Sequence, residues 1–297
     1  MVRAPGQKRR RISARKCAVV VVAASFLVAG NAGARSILDG KIFQPAPMPR
    51  LVSWGQTPPP EDVHVTTEDG VTLTGYRWRP RCNQHVAMVF FHGNAGNRFT
   101  GADLAAPLRR DDVDLIVASY RGYGGNPGEP SEEGLYRDAA AFIREAQASR
   151  PRKTYLFDFS LGGAVALHSA NRFTTEAVVT LGAFSNLKSV APRLVRAFIP
   201  YEFDNLTNAK SLKVPWLLLH GTADETVPIA EAEKLAAAAG TRATFVRLPG
   251  APHNVALDQI ATRMWTALDP MPPNPEGHAA QAPVPARCGE DPAQPKS

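Results

Sequence analysis

Three polar residues stand out by type and by setting: Ser160, Asp224 and His253. Ser160 follows the apolar run Thr154 to Phe159 and precedes Leu161-Gly162-Gly163-Ala164-Val165-Ala166-Leu167, a succession of strand, sharp turn and helix. A turn of that kind pushes a hydroxyl into the open, and the helix N-terminus behind it aims backbone N–H groups at developing negative charge. A serine hydroxyl is a weak nucleophile at neutral pH, so a base must take its proton. His253, in Gly250-Ala251-Pro252-His253-Asn254, is suited to that, and Asp224, in His220-Gly221-Thr222-Ala223-Asp224, to fixing the imidazole tautomer and stabilising its cation. Upstream, Phe90-Phe91-His92-Gly93-Asn94-Ala95-Gly96-Asn97 ends an apolar run in a glycine-bearing loop. The backbone N–H groups of Asn94 and Leu161 are the expected oxyanion hole, where losing one donor costs about 2.7 to 4 kcal/mol of transition-state stabilisation. His92 and His220 each precede a glycine at a strand end and are expected to hold loops by hydrogen bonds.

Taken alone, a serine at a small-residue junction serves packing as readily as chemistry. What favours chemistry is the company, in the chain order Ser, Asp, His that α/β-hydrolases use. One residue departs from the G-x-S-x-G pattern: Asp158 stands where the first glycine belongs. A burial cost is expected there. If Asp158 stayed ionised it would oppose the developing oxyanion and lower activity near neutral pH, so Asp158→Gly is expected to raise activity. A dehalogenase would want an aspartate at the tip of the turn, and that position is Ser160. No metal-ligand cluster appears, so neither a metal nor an organic cofactor is expected.

The elements that must position these residues alternate between β-type and helix-type segments, as in crossover units on a mostly parallel sheet. Val63 to Thr67 and Val71 to Trp78 flank the turn Glu68-Asp69-Gly70 and predict an antiparallel hairpin. Val86 to Phe91, Leu115 to Ser119 and Thr154 to Phe159 read as buried strands. Ala177 to Leu181, Trp216 to Leu219 and Thr244 to Leu248 are further strand candidates, with a helix at Ile229 to Ala239. Ser131 is a plausible N-cap for a helix whose Leu135, Ala139, Phe142 and Ile143 share one face. The stretch 185–212 breaks the rhythm and is read as a short helical cap. The prediction is a three-layer α/β domain over 61–269, with helices on both faces of the sheet.

The formal charge of +7 is confined to one end. Residues 1–34 hold Arg3, Lys8, Arg9, Arg10, Arg11, Arg15 and Lys16 and no acidic residue, so the remainder is balanced, which argues against a nucleic-acid partner. The uncharged run Cys17 to Gly30 and the small residues Ala32-Gly33-Ala34 complete an export signal or an uncleaved membrane anchor, either of which puts the protein outside the cytoplasm or at a membrane. In an oxidising compartment Cys82 and Cys288 could pair or remain thiols. The proline-rich stretch 35–60 reads as a linker lying extended over the surface, and 270–297 as a tail without apolar periodicity; both are expected to be poorly ordered.

With these residues in hand, the chain resembles the serine hydrolases of the BEM46 and ABHD13/ABHD17 type within the α/β-hydrolase superfamily, across roughly 43–268. The resemblance rests on His92-Gly93-Asn94, on Tyr120-Arg121-Gly122-Tyr123-Gly124 with Pro130-Ser131-Glu132-Glu133-Gly134-Leu135-Tyr136-Arg137-Asp138-Ala139, on Ser160, on His220 to Pro228 and on Gly250 to Asn254. It implies the α/β-hydrolase fold, the catalytic roles of Ser160, Asp224 and His253, and hydrolysis of acyl esters or thioesters, often by proteins tethered at a membrane by an N-terminal segment. Two other readings remain open at this point: a non-catalytic binding protein that keeps the fold, and a peptidase using the same three residues.

Overall fold

The computed structural model describes residues 38–270 apart from 56, 83 and 84. Its centre is an eight-stranded sheet made of β2 (Glu61–Thr66), β3 (Thr72–Trp78), β4 (Val86–Phe91), β6 (Val113–Val117), β7 (Lys153–Phe159), β8 (Ala177–Leu181), β9 (Trp216–Gly221) and β10 (Ala243–Leu248), in the order β10-β9-β8-β7-β4-β6-β3-β2. The strands from β6 to β10 and β4 run parallel, while β3 pairs antiparallel with both β6 and β2. A separate two-residue strand, β5 (Ala95–Gly96), pairs with β1 (Gln44–Pro45) outside this sheet.

Alternation along the strands sorts side chains to two cores. In β4, Ala87, Val89 and Phe91 belong to one apolar cluster, and Val86, Met88 and Phe90 to the other. The first cluster is covered by α2 (Glu132–Ala148), α3 (Gly162–Ala170) and α6 (Ile229–Ala239), the second by α1 (Arg98–Ala105) and α7 (Asp258–Leu268). A strand that is buried on both faces carries apolar residues on both, so its sequence reads as a continuous apolar run. The predicted hairpin, strands and three-layer arrangement are therefore present, with boundaries moved by one or two residues.

The start of α2 is as the sequence predicts: Ser131 Oγ accepts from the Gly134 amide, and Glu132 and Glu133 occupy the first turn, where they complement the helix dipole. By contrast α1 has no apolar periodicity to announce it. It is set by a reciprocal cap in which Asn97 accepts from the Thr100 amide and Thr100 accepts from the Asn97 amide. The stretch 185–212 forms the expected cap from two short helices, α4 (Leu187–Val190) and α5 (Asn205–Ser211), with a 3₁₀ turn at Arg193–Phe198 between them.

The motif blocks find a structural use. Arg121 donates to Asp138 on α2 through its Nε and its own amide, and its two terminal nitrogens reach Asp69 in the hairpin turn at 2.8 and 3.0 Å. Hydrogen bonds from Arg121 and Thr67 hold the Asp69 carboxyl well below the usual carboxylate range. This ion cluster ties the hairpin, the loop after β6 and α2 together.

The proline-rich stretch departs from expectation. Residues 38–42 form a helical turn and the stretch from 43 to 60 lies extended, together making a packed strap: Phe43 is only 2% exposed, and Trp54 meets Tyr76, Trp78 and Phe99 edge-on. An aromatic or apolar residue every few positions anchors a segment whose prolines forbid regular structure. Cys82 is disulfide-bonded, and both other cysteines, Cys17 and Cys288, fall outside the described residues, as do the signal or anchor at 1–34 and the tail from 271. Among the described residues, no helix is long and apolar enough to cross a membrane.

Candidate functional site

The chain passes from β4 to β6 on one side and then to β7 on the other, so strand order reverses between β4 and β7. At such a switch point the loops leaving the two strands diverge and open a crevice beyond their C-terminal ends. His92 to Asn97 leaves β4 there and Ser160 leaves β7.

Ser160 has φ of 57°, in the left-handed region that a side chain other than glycine rarely adopts. The turn is held by the Ser160 amide donating to the Leu181 carbonyl, and by Gly163 and Ala164 donating back to Ser160 and Leu161. Gly162 is required, since a Cβ there would strike the Phe91 carbonyl oxygen. The α3 helix starts at Gly162, and its N-cap residue is Leu161.

Two loops from the far strands complete the site. His253, after β10, places Nε2 3.0 Å from Ser160 Oγ and Nδ1 2.7 Å from Asp224 Oδ2. Asp224, after β9, accepts through its other oxygen from the amides of Thr226 and Val227 at 2.9 and 2.8 Å. Burial alone would raise the Asp224 pKa, but hydrogen bonds from His253 and Val227 outweigh it and hold the carboxyl below its ordinary value. The carboxylate therefore remains charged beside the imidazole. Gly182, with φ of 72°, lies against the other side of the ring, where a Cβ would stand 3.0 Å from His253 Cε1. Hence Ser160, His253 and Asp224 form one hydrogen-bonded line.

His92 and His220 hold loops, as their positions suggest. His220 Nε2 donates to the Val227 carbonyl at 2.9 Å, closing the Asp224 loop. His92 is buried, which pushes its pKa down to about 4 and leaves the ring neutral. Its Nδ1–H donates to the Gly93 carbonyl at 2.8 Å. That carbonyl and the Asn94 N–H belong to one planar peptide group, so the imidazole sets the direction in which the Asn94 N–H points. The Asn94 carbonyl in turn accepts from Tyr123 Oη at 2.8 Å and from the Gln44 amide at 2.8 Å.

Asp158 lies on the α3 side of β7, fully buried beneath the elbow. A Cβ on Gly163 would be 2.9 Å from its Oδ1. Neither carboxyl oxygen makes a hydrogen bond, and burial pushes the pKa well above the usual carboxylate range, against a weak opposing pull from the Leu181 backbone. Burial thus favours the protonated, uncharged form of Asp158. An uncharged carboxyl does not oppose an oxyanion, so the electrostatic ground for expecting Asp158→Gly to raise activity holds only for the ionised form.

A cavity of about 580 Å³ opens over Ser160, within the range of small-molecule sites. Its walls are mostly apolar: Leu104 and Phe159 on the domain side, and Leu187, Val190, Val195 and Ile199 from the cap. Leu38, Lys41 and Ile42 from the N-terminal strap also line it, and nothing in the sequence pattern singles them out.

Comparison with known proteins agrees with this architecture. Residues 86–207 match the family model described as the alpha/beta hydrolase fold. An uncharacterized protein of Mycobacterium tuberculosis is 33% identical over 222 residues, covering 72% of this chain and 79% of its own. Protein bem46 of Schizosaccharomyces pombe is 28% identical over 211 residues, 65% of this chain and 71% of its own. Among solved structures, a Pyrococcus furiosus esterase superposes with a TM-score of 0.59 at 16% identity, over 76% of this chain and 94% of its own, which bears on the fold alone. With the sheet order, the elbow and the mycobacterial relative in agreement, the chain belongs to the α/β-hydrolase family.

Proposed function

We propose that this chain is a serine hydrolase that cleaves carboxylic esters or thioesters through an acyl-serine intermediate, and that the N-terminal segment exports it or tethers it to a membrane. The observation that carries the catalytic reading is the unbroken line from Ser160 Oγ through both nitrogens of His253 to Asp224. In this mechanism His253 Nε2 takes the Ser160 proton as Oγ attacks the acyl carbon, and Asp224 stabilises the imidazolium. The carbonyl oxygen, now negative, is met by the Asn94 amide in the loop after β4 and by the Leu161 amide at the α3 N-terminus. The tetrahedral intermediate collapses and the leaving alcohol or thiol takes the proton from His253. A water molecule, deprotonated by the same imidazole, then releases the acid and regenerates Ser160. The apolar walls of the chamber suit the acyl portion of such a substrate.

The test is fluorophosphonate labelling of the purified protein beside Ser160→Ala, read by intact mass. The expected result is one adduct on the unmodified protein and none on the variant. Absence of labelling in a folded protein would count for the non-catalytic reading, and faster turnover of amides than of matched esters for the peptidase.

A further inference from the structure

The strap that precedes the hydrolase domain is joined to the site at four places. First, its backbone pairs with the loop after β4: the Gln44 amide donates to the Asn94 carbonyl at 2.8 Å and the Ala46 amide to the Gly96 carbonyl at 2.7 Å. Second, Asn97, whose Oδ1 caps α1, donates from Nδ2 to the Pro47 carbonyl at 2.8 Å. Third, Phe43 packs edge-on against Tyr201 and Phe203, with ring centroids 5.2 and 6.3 Å away, at the point where the cap returns to the domain. Fourth, Leu38, Lys41 and Ile42 line the chamber over Ser160 together with the cap residues Val195 and Ile199.

The cap return is itself fixed. Glu132, at the start of α2, accepts from the amides of Glu202 and Phe203, each at 2.8 Å, and Phe203 is held at φ of 44°. Phe43 therefore docks on a rigid surface, and whatever it anchors is held at a defined distance from the cap.

We propose that residues 38–47 are a working part of the catalytic site, bracing the Asn94 loop for the oxyanion and forming, with the cap, the wall that selects the acyl chain. This rests on the serine-hydrolase reading above. The Asn94 loop carries one of the two oxyanion donors and has few contacts with the main sheet once it leaves β4. Its carbonyl side is held by the strap and by Tyr123, its amide side by His92. A donor that drifts by an ångström loses much of its effect on a developing charge, and misplacements of that size cost about 10²-fold in rate. Selection follows from the walls: Leu38 and Ile42 of the strap and Val195 and Ile199 of the cap together bound the space left for the acyl chain.

Two variants of the full chain separate the two roles. Gln44→Pro deletes the amide that donates to Asn94 and the Nε2 bond to the Lys41 carbonyl, the second of which Gln44→Ala also loses. It is expected to lower kcat about 10²-fold, with KM for an acetate ester within about twofold of the parent, since ground-state binding is untouched. Gln44→Ala, which keeps the amide, should restore most of that loss. Ile42→Trp leaves every strap amide in place and narrows the chamber. It is expected to reduce the ratio of kcat/KM for 4-nitrophenyl octanoate over 4-nitrophenyl acetate by about tenfold or more, with phosphonate labelling of Ser160 retained. A folded Gln44→Pro protein with undiminished kcat would overturn the bracing role, and an unchanged chain-length preference in Ile42→Trp would overturn the wall. If instead the unmodified protein neither labels nor turns over any ester, the hydrolase reading fails first and this inference falls with it.

Discussion

Ser160 occupies a backbone conformation that costs of order 1–3 kcal/mol and is kept only because its surroundings over-determine it. Here they are the Leu181 carbonyl, the α3 N-terminus and the close approach of Gly162 to β4. The relay behind it makes a direct prediction. Asp224→Asn should leave the fold intact, because the Thr226 and Val227 amides can still be accepted by the side-chain oxygen, yet lower kcat about 10⁴-fold by favouring the wrong imidazole tautomer. Steady-state ester hydrolysis by a variant with unchanged far-UV and near-UV circular dichroism is the check. Asp158 makes a second. Its pKa in the folded protein lies well above the 3.8 of an exposed carboxyl, so the native state holds a proton that the unfolded chain has released. Its stability contribution is complete below about pH 4 and declines as pH rises toward the native value, by up to about 1.4 kcal/mol per pH unit. Asp158→Asn removes that dependence. Denaturant midpoints at pH 5 and pH 8 should show the variant gaining on the parent at the higher pH, and a constant difference would refute the raised pKa of Asp158.

The elements that carry the site are secured by charged groups that the sequence marks without explaining. Glu231 on α6 accepts from the amide and hydroxyl of Ser185 and from the hydroxyl of Ser189, at the entry to the cap, and ion-pairs with Lys234. Burial opposes its ionisation, but those bonds hold its pKa at about 2. Its contribution is therefore present above the ordinary 4.5 and lost as pH falls toward 2. Glu231→Ala strands the two serines and should destabilise the cap by about 1.5–3 kcal/mol, read as faster amide exchange across 185–212 with the sheet unaffected. Arg121→Ala leaves Asp138, buried beneath it, without its cation and should cost about 3–5 kcal/mol in chemical denaturation. Glu231 lies in a helix and Arg121 in a motif block that the sequence displays plainly. Their partners, Ser185 in one case and Asp69 in the other, come from distant segments, and no periodicity links them. Periodicity exposed the strands and α6 because burial on one or two faces leaves a mark every second or fourth residue. It was silent on α1, whose mark is a cap, and on the strap, whose anchors are single aromatic residues among prolines.

Across the whole molecule, the site lies at the topological switch between β4 and β7, with Asp224 and His253 delivered by β9 and β10, beyond β8. That arrangement was legible because Ser160, Asp224 and His253 each follow an apolar run, and residues so placed converge on the C-terminal edge of a parallel sheet. The chamber was not, since Leu38, Ile42, Val195 and Ile199 meet through tertiary packing alone. Phe43 bears a consequence for how the molecule comes to be active. The strap is the first described part of the chain to be made, yet the rings it rests on, Tyr201 and Phe203, come far later, beyond the central strands. Contacts so distant along the chain close late, because the loop between them must first be ordered. Refolding followed by tryptophan fluorescence should accordingly run ahead of refolding followed by phosphonate reactivity, leaving a short-lived species with a formed sheet and an unlatched front.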